Sequence, residues 1–192
     1  TQTAGLAAGG AAPVTSNSEE YNGTAWSEGN NLGTARSDFA FQFGIQTAAV
    51  AAGGYISGAS ALNEEYDGTS WSEVNNIPTA TFQGGGLGTQ TAGLGFGGYT
   101  TATVADSFSY DGTNWTASSD LNLARRVRIT NFGASADSGY VYGGITPAGN
   151  RQTTGSEWNG SSWAAAPAST SIGKQNSNGG GAASSTAGWA AA

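Results

Sequence analysis

A set of short signals recurs along this chain in one order and at nearly one spacing, and that phasing constrains the fold more than any other feature. A double glycine stands at Gly9-Gly10, Gly53-Gly54, Gly97-Gly98 and Gly143-Gly144. A turn dipeptide follows each pair, as Asn22-Gly23, Asp67-Gly68, Asp111-Gly112 and Asn159-Gly160. A tryptophan then follows each turn, at Trp26, Trp71, Trp115 and Trp163, in steps of 45, 44 and 48 residues. A period of this length marks a repeat architecture, in which each unit buries its apolar face against the next.

Within a period the pattern is that of strands. No segment shows a sustained 3.6-residue apolar period, whereas short apolar runs alternate with Gly, Asp and Asn punctuation. In the third period the residues predict strands over 82–90, 91–96 and 106–110, and a fourth carrying Trp115. Asp111-Gly112 is expected to make a tight type I′ hairpin turn, which needs φ > 0 at both central residues. Four short strands in about 45 residues make one propeller blade.

The double glycine after a small-apolar strand, the Glu64-Glu65-Tyr66 run, Trp71, and Arg36, Thr81 and Arg125 each ten residues after a Trp resemble the kelch repeat. The resemblance covers essentially the whole chain. It departs at Gly173, where the Arg or Thr would stand, and at Trp158, where the other repeats have Tyr. The strands, rich in Gly, Ala and Thr, are most similar to the simplified kelch-like arrays of phage and environmental-bacterial surface proteins. The resemblance implies an all-β, kelch-type β-propeller with four-stranded antiparallel blades. Residues 1–192 are then one domain, with blades at about 1–32, 36–77, 81–121 and 125–168 and a partial blade or closing strands at 173–192. The chain opens and stops inside a repeat, which predicts a piece of something longer. The segment near Gly179 to Ser185 could supply the first strand that the first blade lacks; five blades fit as well.

Composition supports a folded chain: 20 aromatics are spaced regularly among 32 glycines, and only 10% of residues are charged. The net charge of −7, with six Lys and Arg in all, argues against nucleic acid and against an anionic membrane surface. No apolar run approaches the roughly 20 residues of a membrane helix. With no His or Cys in the chain, Ser-His and Cys-His nucleophiles and His- or Cys-ligated metals are excluded. The kelch-type copper oxidases, which use His, Tyr and Cys, are excluded with them. No cofactor and no metal is expected.

Most polar candidates fall on repeated positions. Glu19-Glu20 and Glu64-Glu65 could suggest paired carboxylates for glycoside cleavage, but neighbours on a strand point to opposite faces. The turn Asp and Asn residues bring too few oxygens together for calcium. The phased Trp residues are expected between blades. What remains for ligand contact is the divergent loops at 55–62, 99–105 and 145–155, with Tyr55, Tyr99, Arg126, Arg128 and Trp158 as candidate ligand-binding residues and Trp189 beside them. Arg126 and Arg128 share a strand face and could grip a carboxylate or phosphate, while a solvated rim position balanced by carboxylates such as Asp120 is the simpler reading. These features predict a non-enzymatic structural or binding module, extracellular or on a virion, meeting a host-surface glycan or protein or other subunits of an assembly, homo-oligomers included. An intracellular kelch scaffold is the alternative, and a carboxylate-only glycosidase a third.

Overall fold

The computed structural model describes residues 3–126, 131–174, 179–181 and 188–190, and these contain strands, turns and no helix. Strands β1 (Gly5–Gly10), β2 (Thr15–Tyr21) and β3 (Trp26–Glu28) form the first sheet. The second sheet holds β4 (Phe41–Ile45), β5 (Ala48–Ala52), β6 (Asn63–Tyr66) and β7 (Trp71–Val74). The third holds β8 (Gly85–Thr89), β9 (Ala92–Phe96), β10 (Ser107–Tyr110) and β11 (Trp115–Ala117). The fourth holds β12 (Asn131–Ser135), β13 (Ser138–Tyr142), β14 (Gln152–Trp158) and β15 (Trp163–Lys174), and a two-stranded sheet pairs β16 (Gly179–Gly181) with β17 (Gly188–Ala190). Every strand pairs antiparallel with its neighbour in sequence, so each sheet is a meander. The all-β expectation holds, with four antiparallel sheets of three or four strands.

The first strands pack in series, β4 beside β8, β8 beside β12 and β12 beside β16. Their glycine content follows from that proximity. A Cβ on Gly86 would lie 2.9 Å from the Gln42 backbone nitrogen, and Cβ atoms on Gly93 and Gly95 would run into the rings of Phe43 and Phe41 at 2.3 and 2.4 Å. The glycines of β9 are thus the seats for the aromatic rings of β4. Apolar clusters fill each gap. Phe41, Val50, Phe108, Tyr110 and Trp115 lie between the second and third sheets, and Leu87, Leu94, Phe96, Val141, Trp158 and Trp163 between the third and fourth.

The double glycine ties one sheet to the next. Gly97 has φ +62°, and a Cβ there would stand 2.5 Å from the Arg125 carbonyl oxygen. The N–H of the second glycine donates to that same carbonyl: Gly10 to Arg36 at 3.0 Å, Gly54 to Thr81 at 2.8 Å and Gly98 to Arg125 at 2.9 Å. Each acceptor opens the following sheet, which is why the pair recurs in phase.

The turn after the third strand differs from the expected type I′ hairpin. Tyr66 pairs with Trp71, so four residues form the loop, and only its glycine, Gly68, has positive φ. Asp67 keeps an ordinary backbone and its Oδ1 accepts from the N–H groups of Thr69 and Ser70, both at 2.8 Å. Asn22, Asp111 and Asn159 do the same. A short side-chain acceptor is what this position requires. The same bonds hold the Asp67 and Asp111 carboxyls below the usual range.

Candidate functional site

The phased polar residues are absorbed by the scaffold. Glu64 is buried and its Oε1 pairs with Arg36 Nη2 at 2.7 Å, while Oε2 accepts from the Gly33 N–H at 2.7 Å. Arg36 also donates to the carbonyls of Gly53 and Leu62 at 2.8 and 2.7 Å. Glu65 points the other way and accepts from the Tyr110 hydroxyl of the third sheet at 2.7 Å, as Glu20 accepts from Tyr66. Asp120, expected to balance the Arg cluster, instead accepts from the Ser107 N–H at the start of β10 at 3.3 Å.

Three of the phased tryptophans pack towards the preceding sheet. Trp71 donates its indole N–H to Ser18 Oγ at 3.3 Å and Trp163 to Ser107 Oγ at 3.2 Å, and the Trp115 ring lies 5.5 Å from Phe41. Trp26 departs from that expectation. It is 53% exposed, with Tyr21 as its ring neighbour at 5.3 Å.

At the end of the sheets where second strands turn into third strands, six isolated bridges, two at each of three residues, form a repeated device. Tyr55 bridges Ser37 and Ala59, Tyr99 bridges Phe82 and Thr103, and Ile145 bridges Arg126 and Arg151. Bridged residues present their side chains to the same face. The Tyr55 and Phe82 rings lie 5.3 Å apart, Phe82 and Tyr99 likewise 5.3 Å, and the Arg126 guanidinium carbon sits 5.2 Å from the Tyr99 ring centre. The result is a continuous ladder, Tyr55–Phe82–Tyr99–Arg126, running across three sheets. Tyr55 and Ile56 remain 37% and 41% exposed at its apolar end. Stacking a guanidinium on an aromatic face contributes about 0.5–1 kcal/mol at an exposed site.

The loops bearing the ladder are pinned. Ser60 and Val104 donate N–H bonds back to the Gly54 and Gly98 carbonyls at 2.9 and 3.0 Å, and Gln152 to Gly144 at 3.0 Å across a loop two residues longer. Directly after the ladder positions 37 and 82, Asp38 and Gln83 hold left-handed backbones at φ 45° and 57°, conformations that side-chain-bearing residues keep only when their surroundings over-determine them. Their backbones are joined by a Gln83 N–H to Asp38 carbonyl bond of 2.9 Å. The ladder is therefore preorganised.

Of the sequence candidates, Tyr55, Tyr99 and Arg126 come together here, and Arg128 lies outside the described residues. Trp158 does not belong: it is 3% exposed within β14, its indole N–H bonded to the Ala136 carbonyl at 2.7 Å, so neither ring face is open to a ligand. Strand β17 carries Trp189 in sequence. Phe82 and Arg151 were missed, Phe82 because it falls in the segment expected to be strand. The available signal was divergence, since Ser37, Phe82 and Arg126 occupy one repeat position with three unlike side chains.

A groove of about 750 Å³ lies elsewhere, along β1 and β4, lined by Leu6, Gln42, Ile45, Val50 and Trp71 among others. None of its lining residues is titratable, so it offers no acid–base chemistry. Among the described residues no three acidic side chains converge as a metal site, and no helix is long and apolar enough to cross a membrane. In comparisons with protein families and with curated proteins, the chain matches no family model and no curated protein.

Proposed function

We propose that the sheets are blades of a kelch-like β-propeller, and that the chain is a non-catalytic binding module working outside the cell or on a virion. Supporting the propeller are the serial packing of the first strands, the double-glycine ties and the sheet-to-sheet tryptophans. The binding role rests on one observation, the preorganised ladder of Tyr55, Phe82, Tyr99 and Arg126 on the end where the repeats diverge. Loops held by a rigid scaffold are where binding residues concentrate. A half-buried aromatic strip, exposed at Tyr55 and ending in a guanidinium, supplies contact area with little side-chain entropy to lose.

The partner in this proposal is a host-surface glycan or protein lying across the strip. A glycan array combined with pull-down from host envelopes tests it. Binding that is lost in Tyr99→Ala supports the assignment, and retention by neither method sinks it.

A further inference from the structure

The first sheet leaves open the contacts that each later sheet makes with the one before it. Tyr66 and Tyr110 are buried and donate to Glu20 and Glu65 of the preceding sheet, and Trp71, Trp115 and Trp163 lie against that sheet as well. Tyr21 and Trp26 hold the same repeat positions, yet Tyr21 is only half-buried and Trp26 is exposed. A free edge accompanies this open face. Among the described strands β1 pairs with β2 alone, whereas β5, β9 and β13 each have a first strand on the other side. The groove along β1 and β4 lies where that strand would stand.

The fourth sheet carries the counterpart. Glu157 precedes Trp158 on β14 as Glu20 precedes Tyr21 and Glu65 precedes Tyr66, so it holds the carboxylate position through which a sheet meets the tyrosine of the following one. A carboxylate accepts at about four sites, and Glu20 already serves both Gln46 and Tyr66, so existing neighbours do not close Glu157 to a further hydroxyl. Beyond β14, β16 packs on β12 and pairs with β17 through Gly180↔Trp189 and Gly181↔Gly188. Strands β17 and β1 hold one repeat position, Thr186-Ala187-Gly188 matching Thr3-Ala4-Gly5.

We propose that the open face of the first sheet docks on the fourth sheet of a second copy of this chain, with Tyr21 donating to Glu157 of that copy and Trp26 covered by it. Strand β16 of the second copy enters the groove and pairs with β1, which stands where β17 stood, so that Gly181 faces Gly5 and Gly180 faces Leu6. Side-chain size fits this strand. Phe43 of β4 rests on Gly93 of β9, where a Cβ would lie 2.3 Å from the ring. Ala49 holds the place of Gly93 one repeat earlier and lines the groove, so its Cβ leaves no room for a side chain in the place of Phe43. Gly180, opposite Trp189 as Phe43 is opposite Val50, brings none. Charge agrees: Glu19 holds the position of Glu64, and Lys174 stands beside the repeat position of Arg36. Within one chain no strand of the first sheet packs closely on the fourth among the described residues, so the row of sheets has two unlike ends. Joining them in one chain would require turning the three packed interfaces between them, whereas a second copy joins them as they stand. Unlike faces make a heterologous contact, which runs head to tail between copies.

The chain has no cysteine, so single introduced cysteines report the contact directly. Mixing Tyr21→Cys protein with Glu157→Cys protein under mild oxidation is expected to give a disulfide-linked pair, while either alone gives little. Sedimentation of the full chain from about 1 μM to about 1 mM is expected to show concentration-dependent association. Trp26→Ala is expected to raise the dissociation constant at least about tenfold, as for a tryptophan central to an interface, with the melt of the dilute chain little changed. Tyr21→Phe and Glu157→Gln are each expected to weaken association, and the double variant by no more than the larger single effect. A chain that stays monomeric throughout that range overturns the proposal, as does association that Trp26→Ala leaves unchanged. A disulfide formed within one chain by the Tyr21→Cys, Glu157→Cys double variant, with no linked pair on mixing the single variants, places the contact inside the chain and overturns the second copy as its occupant. The inference rests on sheet packing and not on the ladder, so none of these outcomes decides the glycan and pull-down test.

Discussion

Glu64→Ala probes the scaffold at its most heavily committed polar residue. Arg36 is fully buried and the Glu64 side chain is 4% exposed, so the substitution leaves a guanidinium out of water without its counter-ion. Breaking a buried pair from one side costs about 3–5 kcal/mol. The low end applies here, because Arg36 keeps its bonds to the Gly53 and Leu62 carbonyls and water can reach the exposed Gly33 once its N–H loses Oε2. A loss of about 3 kcal/mol lowers the melting temperature of a chain this size by about 6–12 °C. Glu64→Gln is expected to cost less, about half, since its amide oxygen still accepts from Nη2 while its NH₂ group confronts the Gly33 N–H. Replacing both residues, Arg36→Met with Glu64→Leu, removes the stranded charge and is expected to cost less than Glu64→Ala alone. Urea denaturation of the four proteins, with equal m-values as the check on two-state behaviour, supplies the comparison. A Glu64→Ala cost below about 1 kcal/mol would refute the reasoning that this pair is held in a low-dielectric site.

Three further outcomes are expected. Trp115→Ala should cost about 3–5 kcal/mol in a denaturant titration, as for a buried aromatic, while Trp26→Ala, at an exposed position, should stay within about 1 kcal/mol; equal costs would contradict the packing described. Gly97→Ala combines a left-handed backbone with a Cβ 2.5 Å from the Arg125 carbonyl, and should cost more than the roughly 1 kcal/mol of the backbone effect alone, whereas Gly58→Ala, with open space around it, should cost less in the same melt. Burial, reinforced by the bond to Glu20, pushes the Tyr66 hydroxyl up to about 12. Because the folded value exceeds the unfolded value near 10, the stability it contributes is complete below pH 10 and is lost as pH rises towards 12; Tyr66→Phe should flatten that part of the alkaline unfolding curve, and an unchanged curve would refute the assignment.

The phase of the repeat makes much of the architecture legible in the sequence alone. Strand positions in the third period follow the residues closely, with the first strand shortened to Gly85–Thr89 because Phe82 is taken by its bridge to Tyr99. The turn failed differently. Asp-Gly was expected to place positive φ on both residues, but a four-residue loop needs it only at the glycine, which frees Asp67 to act as an acceptor. Local dipeptide chemistry does not fix loop length. The ladder was half legible: Tyr55, Tyr99 and Arg126 were candidates, but their alignment depends on Phe82, and which sheet faces which is a tertiary fact.

Trp158 shows why a departure from the repeat pattern is weak evidence for a ligand site. In the second and third sheets, Tyr66 and Tyr110 donate to Glu20 and Glu65 of the preceding sheet. In the fourth sheet that tyrosine is replaced by Trp158, and the residue at the carboxylate position of the preceding sheet is Ser109. The indole needs no carboxylate, because its N–H reaches the Ala136 carbonyl within its own sheet. The two changes compensate each other across an interface. A second position behaves alike: Arg36 faces Glu64, whereas Arg125 has Ser156 in the same place and relies on carbonyl acceptors. Without a counter-ion, burial pushes the Arg125 guanidinium down to about 10. Divergence that is matched by a partner on the next strand or sheet belongs to packing. Serine, phenylalanine and arginine at positions 37, 82 and 126 are unlike in size and charge, yet all bridge the loop in the same way. Variation at a fixed backbone position, on the end where loops vary most, is what distinguishes the ladder from the scaffold.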